Sequence, residues 1–407
     1  MEQTAIRRRN LETVWNALVR QKQATRQSLA DETGLSLMTI SSFVAMLDER
    51  HALSITQELD MEKTRRPLGR RVQWIEPTSE RCGWFVINLT GFNFRAVELK
   101  LNAEPRVPEL IHTYDDAQSY ERNLEDFLAR VRGMDGVAGA LGTAVITPGP
   151  YDIATDTVRN ARIPALNAIH IKETIRGAIP CRNVFVEEDV KLSIRAFLPN
   201  RDARRGDLLS YIYMGEGVGG AVAYQGEVLR GLNAVAGDFG QTVGGFGRPG
   251  TLGASGGSDA SYESALTIKA FASRLPGVNP DAPTANLLKQ IQSYQLEGAK
   301  KGAYAALSER LAQMIYNMMW CLDPTRIVIE CLYATESSDI DYFRRLTIAA
   351  LRRIISNAPL NLPDIQFVNP TLPSVLFGAV QALSRQWIAD VAADADGGEG
   401  RGDELRR

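Results

Sequence analysis

Five cations and no acid stand within the nine residues KTRRPLGRR, from Lys63 to Arg71. Lys63, Arg65, Arg66, Arg70 and Arg71 at that density suit the phosphate backbone of a nucleic acid, where Lys and Arg displace condensed counterions. The same run would also serve as a solvated loop, so its meaning depends on its flanks. Upstream, Ser36, Leu37, Met38, Thr39, Ser41 and Ser42 crowd one short stretch with hydroxyls and apolar groups. Hydroxyls can bond base edges or phosphates, and apolar groups can touch thymine methyls. The cysteines, Cys82, Cys181, Cys321 and Cys331, are far apart and form no CxxC pair. They are expected to be buried apolar thiols, and no metal site follows from their spacing.

The elements that would position these residues are legible around them. Ile6, Leu11, Val14 and Leu18 recur at helical spacing over roughly 3–21. Thr25 suits an N-cap for a short helix containing Leu29 and Ala30, and Gly34 would end it in the left-handed conformation. Ser36 would cap a second helix over 37–50 with Ile40, Phe43, Val44 and Leu47 facing inward. Helix, glycine turn and capped helix is helix-turn-helix grammar, although an αα-hairpin with solvated serines has the same pattern. The following segment decides between them. Leu53–Glu58 and Arg71–Ile75 alternate as two strands around the basic tip, which is what a wing needs to reach phosphates. The expectation is a winged helix-turn-helix over 1–78 that binds a double-stranded DNA operator, with Thr25 and Arg26 joining the contact set. One short helix reads few base pairs, so a homodimer or higher homo-oligomer on a palindromic site is expected.

The chain has 407 residues, 44% hydrophobic and 23% charged, which is ordinary for a soluble globular protein of two or three domains. A net charge of −2 argues against a non-specific nucleic-acid coat. Residues 1–76 hold 12 Lys or Arg against 10 Asp or Glu, leaving 34 against 38 in the remainder. No apolar run has the length of a membrane span and the first residues lack the pattern of a signal peptide, so a cytoplasmic protein without membrane contact is expected. Beyond residue 78, FVINL and FRAVEL read as a hairpin about Thr90-Gly91-Phe92-Asn93. VAGALGTAVI, VFVEE, LLSYIYM and RIVIE read as strands buried on both faces. Helices are expected at 119–132, 167–178, 189–198, 261–273, 299–321, 338–356 and 372–391, with a disordered tail over 392–407.

From about Cys82 onward the sequence resembles the ROK family of repressors, open reading frames and sugar kinases. Five stretches carry the resemblance in order: CGWFVINLTGFNFRAVEL, LGTAVITPGPYD, NVFVEEDVKLSIRAF, LLSYIYMGEGVGGAVAYQGEVLRGLNAVAGDFGQ and LDPTRIVIECL. It implies an α/β fold, a two-lobed actin-like or hexokinase-like (ribonuclease H-like) ATPase-type domain. The first lobe is expected over 79–195, closed by the C-terminal helix, and the second over 196–371. The resemblance also implies a cleft in which Gly149, between Pro148 and Pro150, shapes a loop over the sugar. There Asp189, Asn233 and Glu263 match residue types that bond sugar hydroxyls, and Asp189 stands where the kinases keep their catalytic base. Glu188, Asp238 and Gln241 depart from the family's Asn, Glu and His but remain polar.

The departures from the kinases fall on every nucleotide element. Asn88-Leu89-Thr90-Gly91-Phe92 replaces Asp-x-Gly-Gly-Thr, Gly215-Glu216-Gly217 replaces Gly-Thr-Gly, and Glu330, Cys331 and Leu332 replace the adenosine-strand glycines. A carboxylate at Glu216 would face a polyanionic nucleotide. The family's zinc cluster of His and cysteines has no counterpart in GDFGQTVGGFGRPGTLGASGGSDASYES. The expectation is therefore a regulator and no enzyme, without cofactor or metal: a repressor of carbohydrate uptake or catabolism genes controlled by a sugar or polyol effector. A sugar phosphate is disfavoured by the carboxylates Glu188, Asp189, Asp238 and Glu263. Two other readings stay open: an active sugar kinase with an appended DNA-binding domain, and a DNA-binding protein with a vestigial cleft controlled by a protein partner.

Overall fold

The computed structural model describes residues 2–59, 71–77, 83–90, 93–115, 117–160, 163–181, 183–198, 206–244, 261–368 and 374–396. At the N-terminus α1 (Glu2–Gln21), α2 (Arg26–Thr33) and α3 (Leu37–Asp48) precede a hairpin of β1 (Leu53–Leu59) and β2 (Arg71–Pro77). The caps are local and explicit. The Ser28 N–H donates to the Thr25 hydroxyl at 3.0 Å while the Thr25 N–H donates to the Ser28 hydroxyl at 2.9 Å, a reciprocal capping box. Gly34 ends α2 at φ 72°, and the Thr39 N–H donates to the Ser36 hydroxyl at 3.2 Å to start α3. Ile40, Phe43, Val44, Met46 and Leu47 of α3 bury against Leu11, Val14 and Leu18 of α1. β1 and β2 pair antiparallel from Leu53↔Pro77 to Leu59↔Arg71, and Ala24 bridges Ile75 through two backbone hydrogen bonds.

The next segment contains β3 (Trp84–Asn88), β4 (Asn93–Leu99), β5 (Leu110–Thr113), α4 (Tyr120–Arg132) and β6 (Gly142–Thr147). A two-stranded hairpin of β7 (Tyr151–Asp152) and β8 (Thr157–Val158) follows, then α5 (Ile171–Ala178), β9 (Val184–Glu188) and α6 (Asp189–Ser193). The following segment runs β10 (Leu208–Met214), β11 (Val218–Tyr224), β12 (Glu227–Val228), α7 (Tyr262–Leu266), α8 (Ile268–Ala272), α9 (Thr284–Gln292) and α10 (Glu297–Leu322). It ends with β13 (Arg326–Cys331), α11 (Ser337–Ile354), β14 (Asp364–Val368) and the long α12 (Ser374–Asp396). The strands form two five-stranded mixed sheets, β5-β4-β3-β6-β9 and β12-β11-β10-β13-β14. In each, three neighbouring strands are parallel, out to one edge, and the two strands on the other side add antiparallel. Two such sheets with helices on both faces make the two-lobed actin-like α/β architecture.

Strand alternation assigns the faces. Phe85, Ile87, Phe94, Val145 and Val186 pack with α4 and α5. Trp84, Val86, Val97, Ala144 and Ile146 point the other way, into one core shared with α12 and with α1. In the second sheet, Ile212, Met214, Ile327 and Ile329 face α7, α8, α10 and α11. Leu209, Tyr211, Ala221 and Val328 face Val190 and Ile194. Thus α6 lies between the sheets.

Several elements depart from the sequence reading. The strand expected from VAGALGTAVI begins only at Gly142, and the helix expected over 167–178 is a 3-10 turn at Pro164–Ala168 followed by α5. The helix expected over 189–198 stops at Ser193 and tightens into a 3-10 turn at Ile194–Phe197. The helix expected over 261–273 is broken at Thr267. There the Ile268 N–H donates to the Gly215 carbonyl at 2.8 Å instead of to its own helix, and the Thr267 hydroxyl caps α8. β5, α9 and β14 were not anticipated. α12 continues to Asp396, into the stretch expected to be disordered, while 397–407 lie outside the described residues.

Gly378 shows how tightly α12 seats. A Cβ there would lie 1.8 Å from the Leu192 carbonyl oxygen of α6, a backbone atom that cannot swing aside. Gly378→Ala is expected to cost about 1–3 kcal/mol in urea denaturation, as overpacked cores do. An unchanged midpoint would contradict this packing.

Candidate functional site

At the head, α3 presents its first turn to solvent. Leu37 and Met38 are 48% and 83% exposed, large values for apolar side chains, and Ser41 and Ser42 are exposed beside them. Ser36 and Thr39 are engaged with each other at 2.9 Å, so their hydroxyls are partly committed to the cap. The Thr25 hydroxyl is committed to its capping box, and the Arg26 guanidinium donates to the Gln73 side chain on β2. Arg71 opens β2 opposite Leu59. Lys63, Arg65, Arg66 and Arg70 lie outside the described residues.

The cleft set gathers at the end of β9 and around β11. Gly149 lies after β6, where a Cβ would meet the Arg159 carbonyl oxygen at 2.8 Å, so only glycine lets the two chains approach. Glu188 ends β9 and Asp189 begins α6, with the Val190 N–H donating to the Asp189 carboxylate at 2.7 Å. A Cβ on Gly219 would lie 2.7 Å from Val190, and one on Gly220 would lie 2.3 Å from the Gly237 carbonyl oxygen. Those two glycines of β11 thus admit α6 and the Asp238 loop against one strand. Asn233, in that loop, accepts a 3.0 Å hydrogen bond from Arg159, which ties the second lobe to the β7–β8 hairpin of the first. Gln241 and Glu263 are joined to each other by a hydrogen bond from the Gln241 amide.

Sequence reasoning missed two buried ions beside this group. Lys191 is 1% exposed and forms an ion pair and hydrogen bond with Glu188, itself 7% exposed. Its signal was present, since Glu188 and Lys191 stand three apart at the start of a helix, but a lysine in a short polar stretch reads as solvated. Glu187, fully buried, pairs with Arg230 on the second lobe and was also missed. Burial pushes the Glu188 carboxyl up to about 8 although Lys191 opposes the shift, with Asp189 and Asp238 adding to it. Burial also raises Asp189 to about 6, opposed by the Val190 N–H and Lys191, and Asp238 to about 6, opposed by Lys191. Lys191 therefore offsets part of a carboxylate excess and leaves acceptors that suit hydroxyl donors.

The stretches that the resemblance assigns to nucleotide are engaged by their own side chains. The Asn88 side-chain oxygen Oδ1 accepts from the Thr90 N–H at 2.8 Å and the Thr90 hydroxyl at 2.6 Å, so the first loop is folded on itself. In the second, Glu216 is exposed at the hairpin tip, and a Cβ on Gly215 would lie 2.5 Å from the Tyr213 hydroxyl. Glu330 is 6% exposed and accepts from the Tyr211 hydroxyl at 3.0 Å and from Ser374 of α12, while Cys331 is buried. These residues do not fit ATP at the adenosine strand, where a buried carboxylate and thiol replace open backbone. Nor do they fit the family's zinc: Gln241 spends its amide on Glu263, and the sequence has no His or Cys between Cys181 and Cys321. Among the described residues no group of three His, Cys, Asp or Glu is placed to hold a metal, and no helix is long and apolar enough to cross a membrane.

Fold and site define a two-lobed α/β protein behind a three-helix head. A family model described as the ROK family matches residues 107–351, and the chain belongs to that family. Among solved structures it is similar to a ROK family transcriptional regulator, a homolog of the E. coli MLC protein. The identity is 15% and the TM-score 0.64, over 97% of this chain and 100% of that one. It is also similar to a ROK family glucokinase from Streptomyces griseus in complex with glucose and AMPPNP. There the identity is 15% and the TM-score 0.58, over 74% of this chain and 98% of that one. A ROK family protein from Streptococcus pneumoniae TIGR4 in complex with sucrose is 15% identical, with a TM-score of 0.57 over 75% of this chain and 98% of that one. No curated protein matches the sequence. At these identities the likeness defines the fold, and the fold is common to regulators and kinases.

The raised carboxyls give a pH dependence. A carboxyl that holds its proton more tightly when folded loses stability as pH climbs from its unfolded value towards its folded one. For Asp238 that window runs from about pH 4 to about 6. Asp238→Asn is expected to flatten the fall in melting temperature across this window; an identical profile for variant and wild type would remove the assigned environment.

Proposed function

We propose that this chain is a DNA-binding transcriptional regulator, a repressor of carbohydrate uptake or catabolism genes, whose cleft takes a sugar or polyol and does not phosphorylate it. The observation that carries the reading is the open first turn of α3. Leu37, Met38, Ser41 and Ser42 are exposed there, on a capped helix behind a glycine turn. The regulator neighbour supports it, because its likeness extends over the head as well as the two lobes. A cleft that does not phosphorylate is supported by Glu330, a buried carboxylate tied to Tyr211 and Ser374 on the strand that the resemblance assigns to the adenosine.

In this reading 1–78 is the DNA-binding domain, 79–195 with the C-terminal helix is the first lobe, and 196–371 is the second. Two copies would read a palindromic operator. The cleft residues Glu188, Asp189, Asn233, Asp238, Gln241 and Glu263 would bond sugar hydroxyls below Gly149, with Lys191 holding Glu188. Closure of the lobes about the ligand would move the head, and a tenfold change in operator affinity needs only about 1.4 kcal/mol of preference between the two states.

Two measurements test the two halves. Replacing Ser41 and Ser42 with Glu should abolish mobility shift of the operator while circular dichroism stays that of the wild type; undiminished binding would sink the recognition-helix assignment. Calorimetry against monosaccharides and polyols without ATP should find a ligand whose binding is lost in Asp189→Ala. Binding that survives this change would remove the pocket, and ATP turnover with a sugar would restore the kinase.

A further inference from the structure

One guanidinium joins three parts of the chain that are remote in sequence. Arg385, midway along α12, donates from Nη1 to one Glu227 carboxylate oxygen at 3.1 Å and from Nη2 to the other, a bidentate fork. Its Nε lies 3.6 Å from a carboxylate oxygen of Glu12 on α1. The fork holds Glu227 below the usual carboxylate range, with Arg195 and Arg8 of α1 adding to the effect. Arg385 thus stands between the N-terminal head and the edge strand of the second lobe.

The position of Glu227 gives this contact its interest. Glu227 opens β12, which pairs with β11 through Tyr224↔Glu227 and Ala223↔Val228. Three residues on, Arg230 pairs with buried Glu187 beside the cleft carboxylates, and the loop then runs through Asn233 to Asp238. The strand that carries Glu227 and the loop that borders the cleft are therefore one continuous segment. By contrast, α1 is held to the first lobe by an apolar contact: Trp387 of α12 lies edge-on to Trp15 of α1 at 5.3 Å and to Trp84 of β3 at 6.2 Å. That grip does not involve the second lobe. The fork does, and its geometry tolerates little displacement, because two parallel hydrogen bonds to one carboxylate fail together when the carboxylate moves.

We propose that Arg385 is a positioning residue that links the second lobe to the N-terminal head, so that α1 responds to where the cleft-bordering segment places Glu227. With the fork intact, the guanidinium is held between Glu227 and Glu12. With Glu227 displaced, Arg385 is released to Glu12 alone and α1 loses its tie to the second lobe. The regulatory purpose of such a link rests on the function proposed above; the link itself does not.

The test is amide hydrogen exchange, read by mass spectrometry on the full chain, for wild type, Glu227→Ala, Glu12→Ala and the double variant. Glu309→Ala, which breaks the surface ion pair with Arg353, serves as a control. Glu227→Ala is expected to speed exchange in peptides of α1 about threefold, although the change lies in the second lobe. Reciprocally, Glu12→Ala should speed exchange over 227–236, and the double variant should add little to the larger single effect, as residues sharing one partner do. Glu309→Ala should leave both regions unchanged. Effects confined to the element that carries the substitution, or strict additivity, would overturn the link. A second arm uses the duplex enriched from random sequence on the wild-type chain. A changed affinity in Glu227→Ala supports the regulatory purpose. An unchanged affinity beside altered exchange overturns that purpose and leaves the link standing.

Discussion

Trp387 packs between Trp15 and Trp84, and through that contact one helix becomes common to the core of the head and the core of the first lobe. Truncating a buried tryptophan of this kind costs about 3–5 kcal/mol, a large fraction of the stability of a domain. The packing even tolerates a Trp15 indole N–H without an acceptor among the described residues. The same helix reaches the second lobe at Ser374, which donates to Glu330, and at Arg385, which grips Glu227. Seating it requires Gly378 against the α6 backbone and so fixes α6, the helix on which Asp189 and Lys191 stand. Head, lobes and cleft are arranged about α12.

Between the sheets, α6 sets the chemistry of the cleft. A helix begun by a carboxylate and carrying a buried lysine two residues later would be costly alone, since an unpaired buried charge is strongly disfavoured. Glu188 makes it tolerable by pairing with Lys191 from the end of β9. Burial still pushes Glu188, Asp189 and Asp238 up, and they present oxygen atoms of the kind that hydroxyl-rich ligands satisfy. Glu330 plays a different part on β13. It accepts from Tyr211 and Ser374, and in doing so fastens α12 to the second sheet.

Most of the head was legible because its signals are local. Thr25, Gly34 and Ser36 determine helix ends within a few residues, and the structure uses each as the sequence implies. The central strands were legible as short apolar runs buried on both faces. What escaped depends on contacts remote in sequence. The break at Thr267 is made by the Gly215 carbonyl, and the tightening after Ser193 falls where α6 lies between two sheets. β14, an edge strand, alternates over only the four residues DIQF, too short a run to read. Lys191 escaped for the same reason as the α7–α8 break: only the closed fold shows that its side chain is enclosed. The polar residue types of the cleft were read from resemblance, whereas their pairing of Gln241 with Glu263 and Asn233 with Arg159 became visible only in three dimensions.

In the proposed function a DNA-reading head is governed by a cleft that needs no nucleotide. That control is tested most directly by enriching random-sequence duplexes on the full chain and then measuring affinity for the recovered duplex across monosaccharides and polyols in nucleotide-free buffer. The account predicts one discrete sequence and at least one ligand that shifts its affinity about tenfold. Recovery of no preferred sequence, or a shift that appears only when ATP is supplied, would contradict it.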